Sequence, residues 1–159
     1  MRYHNITKCD LLNGDGIRVV LWISGCKLRC PGCQNPQTWA FNSGIKFEEA
    51  DKEELFEALS KPYIKGLTLS GGNPIDSYTE VLPLVKEVKT KFPEKDIWLY
   101  SGYELAELKL NYSEILKYVD VIVDGAYVES CKDVELRWRG STNQKVYRKL
   151  DDNWAQDAD

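Results

Sequence analysis

Four short apolar runs are separated by segments in which apolar residues recur at helical spacing. Runs of this length, bounded by glycine and small polar residues, predict buried β-strands. They lie at residues 17–24, 66–70, 96–101 and 119–124. The predicted helices lie at residues 48–60, about 77–91 and, as a shorter region, 104–117. The first helix would bury Leu55, Phe56 and Leu59, and the second Val81, Leu84, Val85 and Val88, with Pro83 marking a kink or the true start.

The alternation of strands and helices predicts an α/β fold built from right-handed βαβ units. Residues 3–12 add a short strand or extended segment, and 13–16 a turn, whereas the chain from Gly125 is less regular. A closed eight-fold barrel needs about 250 residues. We therefore expect a partial, open β/α barrel with a mainly parallel, curved sheet. It would form a single domain over residues 1–159, with a frayed polar tail at 151–159.

Composition places the chain among ordinary globular proteins. Its 159 residues suit one domain, and 43% hydrophobic with 29% charged residues is typical of a soluble protein. A net charge of −4 gives no general attraction to nucleic acid. No apolar run approaches the roughly 20 residues of a membrane helix. Residues 1–5 show no apolar signal-peptide region, so we expect a cytoplasmic protein without a membrane or nucleic-acid partner.

Three of the five cysteines follow the first predicted strand at C-x3-C-x2-C spacing: Cys26, Cys30 and Cys33. In a reducing cytoplasm, cysteines set this closely indicate a metal or redox site rather than disulfides. Thiolates hold zinc or iron–sulfur clusters, and three protein ligands leave one position of a four-site centre open. The alternative is one helix face with three small buried side chains, against which Pro31 and Gly32 argue.

The surrounding connection and the other single residues are less specific. Residues 25–46 form a long connection without predicted structure, which in a compact domain is usually functional. Cys9 and Cys131 stand alone and are expected to be buried or incidental thiols. The single histidine, His4, is expected to be structural.

The predicted strands share one ending, in which a small polar residue precedes a glycine. The pairs are Ser24-Gly25, Ser70-Gly71, Ser101-Gly102 and Asp124-Gly125. Ligands of parallel α/β folds bind at the carboxyl ends of the strands, where glycine lets a ligand approach the backbone. Such residues are also common in strand-to-helix turns as caps. Because the pattern recurs beside the cysteine loop, a shared site is favoured.

Residues 137–145 mix cations, an aromatic ring and amides. The segment is either a solvated surface loop or a contact for a substrate or partner. The net negative charge of the chain disfavours nucleic acid as that partner.

The motifs resemble those of a known family. The cysteine loop is similar to the cluster motif of radical S-adenosylmethionine (SAM) enzymes. More of the chain, from about residue 3 to 147, resembles the anaerobic ribonucleoside-triphosphate reductase-activating proteins, a glycyl-radical-activating family. The matching segments are residues 13–18, 30–35 with Thr38-Trp39, 69–74, 96–98 with Gly102-Tyr103, 123–125 and 138–144.

The resemblance implies a role for each site residue. Cys26, Cys30 and Cys33 would bind three irons of a [4Fe–4S] cluster, and the fourth iron would take the amino and carboxylate groups of SAM. The remaining SAM contacts would be Gly71-Gly72-Asn73-Pro74 at the amino group, Gly32, Cys33 and Gln34 near the nucleoside, and Ser101 and Asp124 at the ribose or methionine. The family commonly has proline where Asp15 stands and an acidic residue where Asn73 stands.

The implied activity is that of a radical SAM oxidoreductase. An external one-electron donor such as a flavodoxin would reduce the cluster, and reductive cleavage of SAM would yield a 5′-deoxyadenosyl radical. That radical would take a hydrogen atom from the reductase and leave a glycyl radical on this protein partner. No further catalytic residue is expected, because the cofactors carry the chemistry. The alternatives are another small radical SAM enzyme, with a formate-lyase-type partner or a small-molecule substrate, and a non-catalytic metal- or cluster-binding module.

Overall fold

The computed structural model describes residues 1–157. Within them, eight strands form one sheet and three α-helices pack against it. The strands are β1 (Arg2–Asp10), β2 (Arg18–Ile23), β3 (Ile45–Lys46), β4 (Gly66–Gly71), β5 (Asp96–Tyr100), β6 (Val121–Asp124), β7 (Lys145–Leu150) and β8 (Asn153–Gln156). The helices are α1 (Glu49–Leu59), α2 (Tyr78–Lys91) and α3 (Leu105–Asn111).

The sheet is mixed, so the prediction of a partial β/α barrel with a mainly parallel sheet is wrong. The strand order is β3-β1-β2-β4-β5-β6-β7-β8. Only the three central pairings, from β2 to β6, are parallel. The four outer pairings are antiparallel. Connection length explains two of these four: short connections join β1 to β2 and β7 to β8, and strands joined in this way are antiparallel.

The central strands and helices lie close to where the periodicity placed them. Helix α1 buries Leu55, Phe56 and Leu59, as predicted. Helix α2 buries the predicted set and contains Pro83 in its interior, so this proline is not the helix start. The predicted region 104–117 divides into α3 and a 3-10 turn at Ile115–Lys117. Helical faces and sheet thus enclose the main apolar core.

The opposite face of the sheet carries a smaller core around Trp98. Arg18 is fully buried, and its guanidinium lies 2.7 Å from a carboxylate oxygen of Asp96. The same guanidinium stacks 5.4 Å from the centre of the Trp98 ring, and that of Arg148 lies 5.3 Å from it. Arg18 also donates to Thr68 Oγ1 at 2.8 Å. The ion pair, the hydrogen bond and the ring contact compensate the burial of the Arg18 charge in the sheet interior.

The C-terminal region corrects a further expectation. Residues 153–156 do not fray, because they form β8 and pair with β7. Tyr147 and Trp154 pack against the main core and supply the apolar contacts that hold this hairpin. The alternation of apolar and polar residues in β8 is weak, because a strand at the edge of a sheet tolerates polar residues. Ala158 and Asp159, the end of the expected frayed tail, lie outside the described residues.

Among the residues that the structure describes, no helix combines the length and the apolar character that crossing a membrane requires.

Candidate functional site

A cavity of about 500 Å³ opens at the carboxyl ends of the parallel strands. Because β2, β4, β5 and β6 run in the same direction, their ends meet at one edge of the sheet. Backbone hydrogen bonds continue past the strands there, with Gly72 N–H donating to Ile23 O at 2.8 Å and Ser101 N–H to Val123 O at 2.9 Å. Of the strand-end residues singled out in the sequence, five line the cavity: Ser70, Gly71, Ser101, Gly102 and Gly125.

Cys26, Cys30 and Cys33 all line this cavity, and each is half-buried. The segment forms turns rather than a helix, so the helix-face alternative is excluded. Arg29 and Gly32 have positive φ, of 49° and 77°, which bends the chain between the cysteines. The loop is joined to the residues that follow it, because Cys26 N–H donates to Trp39 O at 2.9 Å. The three thiols therefore share one rigidly connected wall.

The thiols influence one another electrostatically. Burial raises the pKa of the Cys30 thiol, and the neighbouring Cys26 and Cys33 raise it further, while a backbone hydrogen bond from Tyr127 acts in the opposite direction. Cys33 Sγ accepts a backbone hydrogen bond from Asn35 at 3.4 Å. A soft cation would remove this mutual repulsion, since thiolate ligands are deprotonated by the metal that they bind. The donor set thus suits an iron–sulfur centre.

Within residues 1–157, no group of three or more His, Cys, Asp and Glu side chains is arranged to hold a single metal ion. A cluster is a larger object, whose thiolates bind separate irons. The assignment of the three cysteines as cluster ligands stays a prediction.

Gly71 and Gly72 bring the second loop against the cysteine loop. Gly71 has φ +102°, and a Cβ at this position would lie 2.5 Å from the backbone nitrogen of Ile23 and 2.6 Å from its oxygen. A Cβ on Gly72 would lie 2.5 Å from the backbone oxygen of Gly25. That oxygen accepts a hydrogen bond from Asn73 N–H at 2.9 Å. Because only glycine lets two backbones approach this closely, both positions require glycine.

Asn73 and Ser101 are buried at the cavity wall. Asn73 Oδ1 accepts from Gly102 N–H at 3.3 Å, and Asn73 Nδ2 donates to Asp76 Oδ2 at 3.3 Å. Ser101 Oγ donates to Tyr103 O at 2.9 Å and accepts from Tyr103 N–H at 3.0 Å. Both side chains therefore fix the strand-end loops as well as facing the cavity.

The other residues predicted to contact the ligand do not all line the cavity. Gln34 lines the cavity, whereas Gly32, Pro74 and Asp124 are not among its lining residues. Asp124 is buried, accepts from Leu105 N–H at 2.7 Å and from Lys145 N–H at 3.2 Å, and so orders the start of α3 and of β7. Burial raises the pKa of this carboxyl group, against the effect of those hydrogen bonds.

The segment 137–145 forms the far wall. Trp138, Arg139, Gly140 and Gln144 all line the cavity. Gln144 holds the segment to the end of β6, because its Nε2 donates to Gly125 O at 3.0 Å while its Oε1 accepts from Gly140 N–H at 3.1 Å. Of the two interpretations of this segment, the structure therefore favours a ligand or partner contact over a purely solvated loop. The feature of the sequence that indicated this role was the mixture of aromatic and amide side chains.

Asp76 is the functional candidate that the sequence reasoning missed. Its carboxylate accepts hydrogen bonds from Lys27 N–H at 2.9 Å and from Tyr103 Oη at 2.5 Å, besides that from Asn73. It therefore joins the cysteine loop to the ends of β4 and β5. A lone aspartate in a turn carries no sequence signal for such a role.

The remaining singled-out residues lie elsewhere. Cys9 is exposed on β1, and Cys131 is half-buried in a 3-10 turn at Glu129–Cys131. His4 Nε2 lies 2.9 Å from Ser43 Oγ, in a hydrogen bond between β1 and the connection that follows the cysteine loop.

The sequence is also similar to those of known proteins. Residues 12–147 match the family model described as a 4Fe-4S single cluster domain. Curated relatives named anaerobic ribonucleoside-triphosphate reductase-activating protein include one from Enterobacteria phage T4, 46% identical over 99% of this chain and 100% of the relative. Those from Vibrio cholerae and Escherichia coli K12 are 43% and 40% identical, covering 93% and 92% of this chain and 98% of each relative.

These identities extend over nearly the full length of both proteins, and the matched domain includes the cysteine loop, the glycine-rich loop and the far wall of the cavity. They confirm the resemblance inferred from the motifs. The chain belongs to the family of anaerobic ribonucleoside-triphosphate reductase-activating proteins.

Proposed function

We propose that this protein activates an anaerobic ribonucleotide reductase by generating a glycyl radical on it, as a radical SAM oxidoreductase. The observation that carries the proposal is the shared cavity of about 500 Å³, onto which Cys26, Cys30, Cys33 and the Gly71-Gly72 loop all open. The names of the relatives support the choice of partner.

Cys26, Cys30 and Cys33 would hold three irons of a [4Fe–4S] cluster, leaving the fourth iron for SAM. When bound, a reduced cluster would supply the electron for reductive cleavage of SAM to methionine, and the resulting 5′-deoxyadenosyl radical would take a hydrogen atom from a glycine of the reductase. The thiols are half-buried, so the protein would shield part of a bound cluster from solvent.

The glycine-rich loop would position the amino-acid part of SAM. Backbone groups of residues 71–74 and the Asn73 side chain would meet its amino group, while Gln34 and the backbone of residues 32–34 would lie near the nucleoside. Ser101 is better supported as a contact than Asp124, because Ser101 lines the cavity and the Asp124 carboxylate is occupied by two backbone N–H groups. The site must hold SAM in a defined orientation, because the radical must form within reach of the target hydrogen atom.

The reductase would approach the mouth of the cavity. Leu12 and Val134 belong to its lining and are 79% and 83% exposed, which leaves apolar surface for a protein partner. An external one-electron donor such as a flavodoxin would supply the electron in the cytoplasm.

The proposal is tested by anaerobic reconstitution with iron and sulfide, followed by mixing with SAM, a reductant and the reductase. The expected results are methionine and 5′-deoxyadenosine, together with a glycine-centred EPR signal on the reductase. SAM cleavage without that signal would indicate a different substrate. Zinc without iron after anaerobic purification would refute the cluster assignment.

The Cys30→Ser variant should lose the site-differentiated cluster and the glycyl radical, because a serine hydroxyl is a much weaker ligand than a thiolate for cluster iron. Cys9→Ser is the matched control, since Cys9 is exposed on β1 and is not among the residues lining the cavity. Iron and sulfide content, measured against protein concentration, should fall in the first variant and stay unchanged in the second. A normal radical yield from Cys30→Ser would contradict the ligand assignment.

A further inference from the structure

We propose that Asp76 is a positioning residue that orients the Asn73 amide towards the amino group of SAM and anchors the start of the cysteine loop. This inference rests on the proposed function, because it concerns the same site. Asp76 does not line the cavity and acts through Asn73, which does.

The contacts of the Asp76 carboxylate connect three strand ends. Oδ2 accepts from Lys27 N–H, directly after Cys26, at 2.9 Å, and from Asn73 Nδ2 at 3.3 Å. Oδ1 accepts from Tyr103 Oη at 2.5 Å. The carboxylate is only half-buried, so holding its charge there costs less than it would at the buried position of Asn73.

The donor and acceptor types fix the orientation of the Asn73 amide. An ionised carboxylate can only accept hydrogen bonds, so Asn73 must turn its NH₂ group towards Asp76. Its Oδ1 then faces Gly102 N–H, at 3.3 Å, and retains a second lone pair. That lone pair is the acceptor available to an ammonium group in the cavity, and the Asp76 charge behind the amide strengthens it.

The same geometry favours a neutral side chain at position 73. An aspartate at 73 would place a second carboxylate against that of Asp76, and two such groups cannot both ionise readily. Because the Asn73 amide is neutral, Asp76 carries the single negative charge of this pair.

Asp76→Asn removes the charge and releases the orientation of the Asn73 amide. We expect SAM to bind the anaerobically reconstituted variant about 10-fold more weakly than the wild type, as measured by equilibrium dialysis. The probe 5′-methylthioadenosine has the nucleoside and a thioether but no amino-acid part, and its affinity should change by less than about 2-fold. Asp152→Asn, in the exposed turn between β7 and β8, removes the same charge far from the site and should affect neither ligand.

The exchange variant Asn73→Asp/Asp76→Asn restores one carboxylate and one amide to the pair. It should recover SAM affinity to within about 3-fold of the wild type, whereas Asn73→Asp alone should not. Hydrogen exchange of the Lys27 amide gives an independent measure, because Asp76→Ala removes its acceptor and should speed that exchange.

The outcomes separate the two proposals. A wild-type protein that does not bind SAM would refute the proposed function. If the wild type binds SAM, three results would overturn the role of Asp76 alone. They are unchanged SAM affinity in Asp76→Asn, an equal loss of SAM and 5′-methylthioadenosine, and no recovery in the exchange variant.

Discussion

Replacing Gly71 with alanine should loosen the junction between the glycine-rich loop and the cysteine loop. Gly71 lies at φ +102°, and its new Cβ would be 2.5 and 2.6 Å from backbone atoms of Ile23, in the neighbouring strand β2. Backbone in the middle of a sheet cannot move aside as a flexible side chain can. The substitution therefore adds a packing conflict to the strain of a positive φ.

Gly125→Ala is the matched control. Gly125 follows β6 at the same edge of the sheet, with φ +93°, but the nearest atoms to its Cβ would be at 3.7 to 3.8 Å, an ordinary contact distance. Both variants carry the backbone strain of about 1–3 kcal/mol. Only Gly71→Ala adds overpacking, which costs about 1–3 kcal/mol more. For a chain of this size that difference corresponds to a melting temperature lower by about 2–12 °C.

Thermal unfolding followed by far-UV circular dichroism, under anaerobic conditions, measures both variants. Gly71→Ala should also reduce the iron bound on reconstitution, because the junction fixes the strand that leads into Cys26. Equal melting temperatures for the two variants would contradict a clash with the Ile23 backbone, since the positive φ is common to them and the backbone contact is not.

Two further predictions concern the sheet and its first strand. Arg18→Met should lower the free energy of unfolding by about 3–5 kcal/mol, because it leaves the Asp96 carboxylate without its buried partner. The Arg148 guanidinium also lies near the Trp98 ring, but its side chain is 35% exposed, so Arg148→Met should cost clearly less in the same urea titration, and equal losses would contradict this account. Burial, and then the hydrogen bond to Asp51, raise the pKa of Tyr3 to about 12 from an ordinary 10. The contribution of the protonated Tyr3 phenol to the free energy of unfolding is therefore fully present below pH 10. It is lost as the pH rises towards 12. Tyr3→Phe should flatten this part of the stability profile, measured by urea unfolding between pH 9 and 11.5, and an unchanged slope would argue against it.

Much of the candidate site could be inferred without coordinates, because its signals are local. The C-x3-C-x2-C spacing, with Pro31 and Gly32, indicated a turn with converging thiols, and all three cysteines line the cavity. The glycines after successive strands indicated a common edge, which requires only that the central strands be parallel. Those strands are parallel, since helices connect them.

The direction of the outer strands and the identity of the residues behind the site were decided by tertiary structure. Strand β8 lies at the sheet edge and β7 fully buries only Val146, so both left little periodicity in the sequence, and the mixed character of the sheet went unpredicted.

Asp76 illustrates the same limit at the site. Its partners Lys27 and Tyr103 are 49 and 27 residues away, and nothing in the local pattern relates them. The cysteine spacing alone was enough to predict a metal or cluster site, and the periodicity placed the central elements, because both are properties of neighbouring residues. Only the folded chain determined which distant backbone and side-chain groups hold that loop, because such contacts depend on how the strands pair.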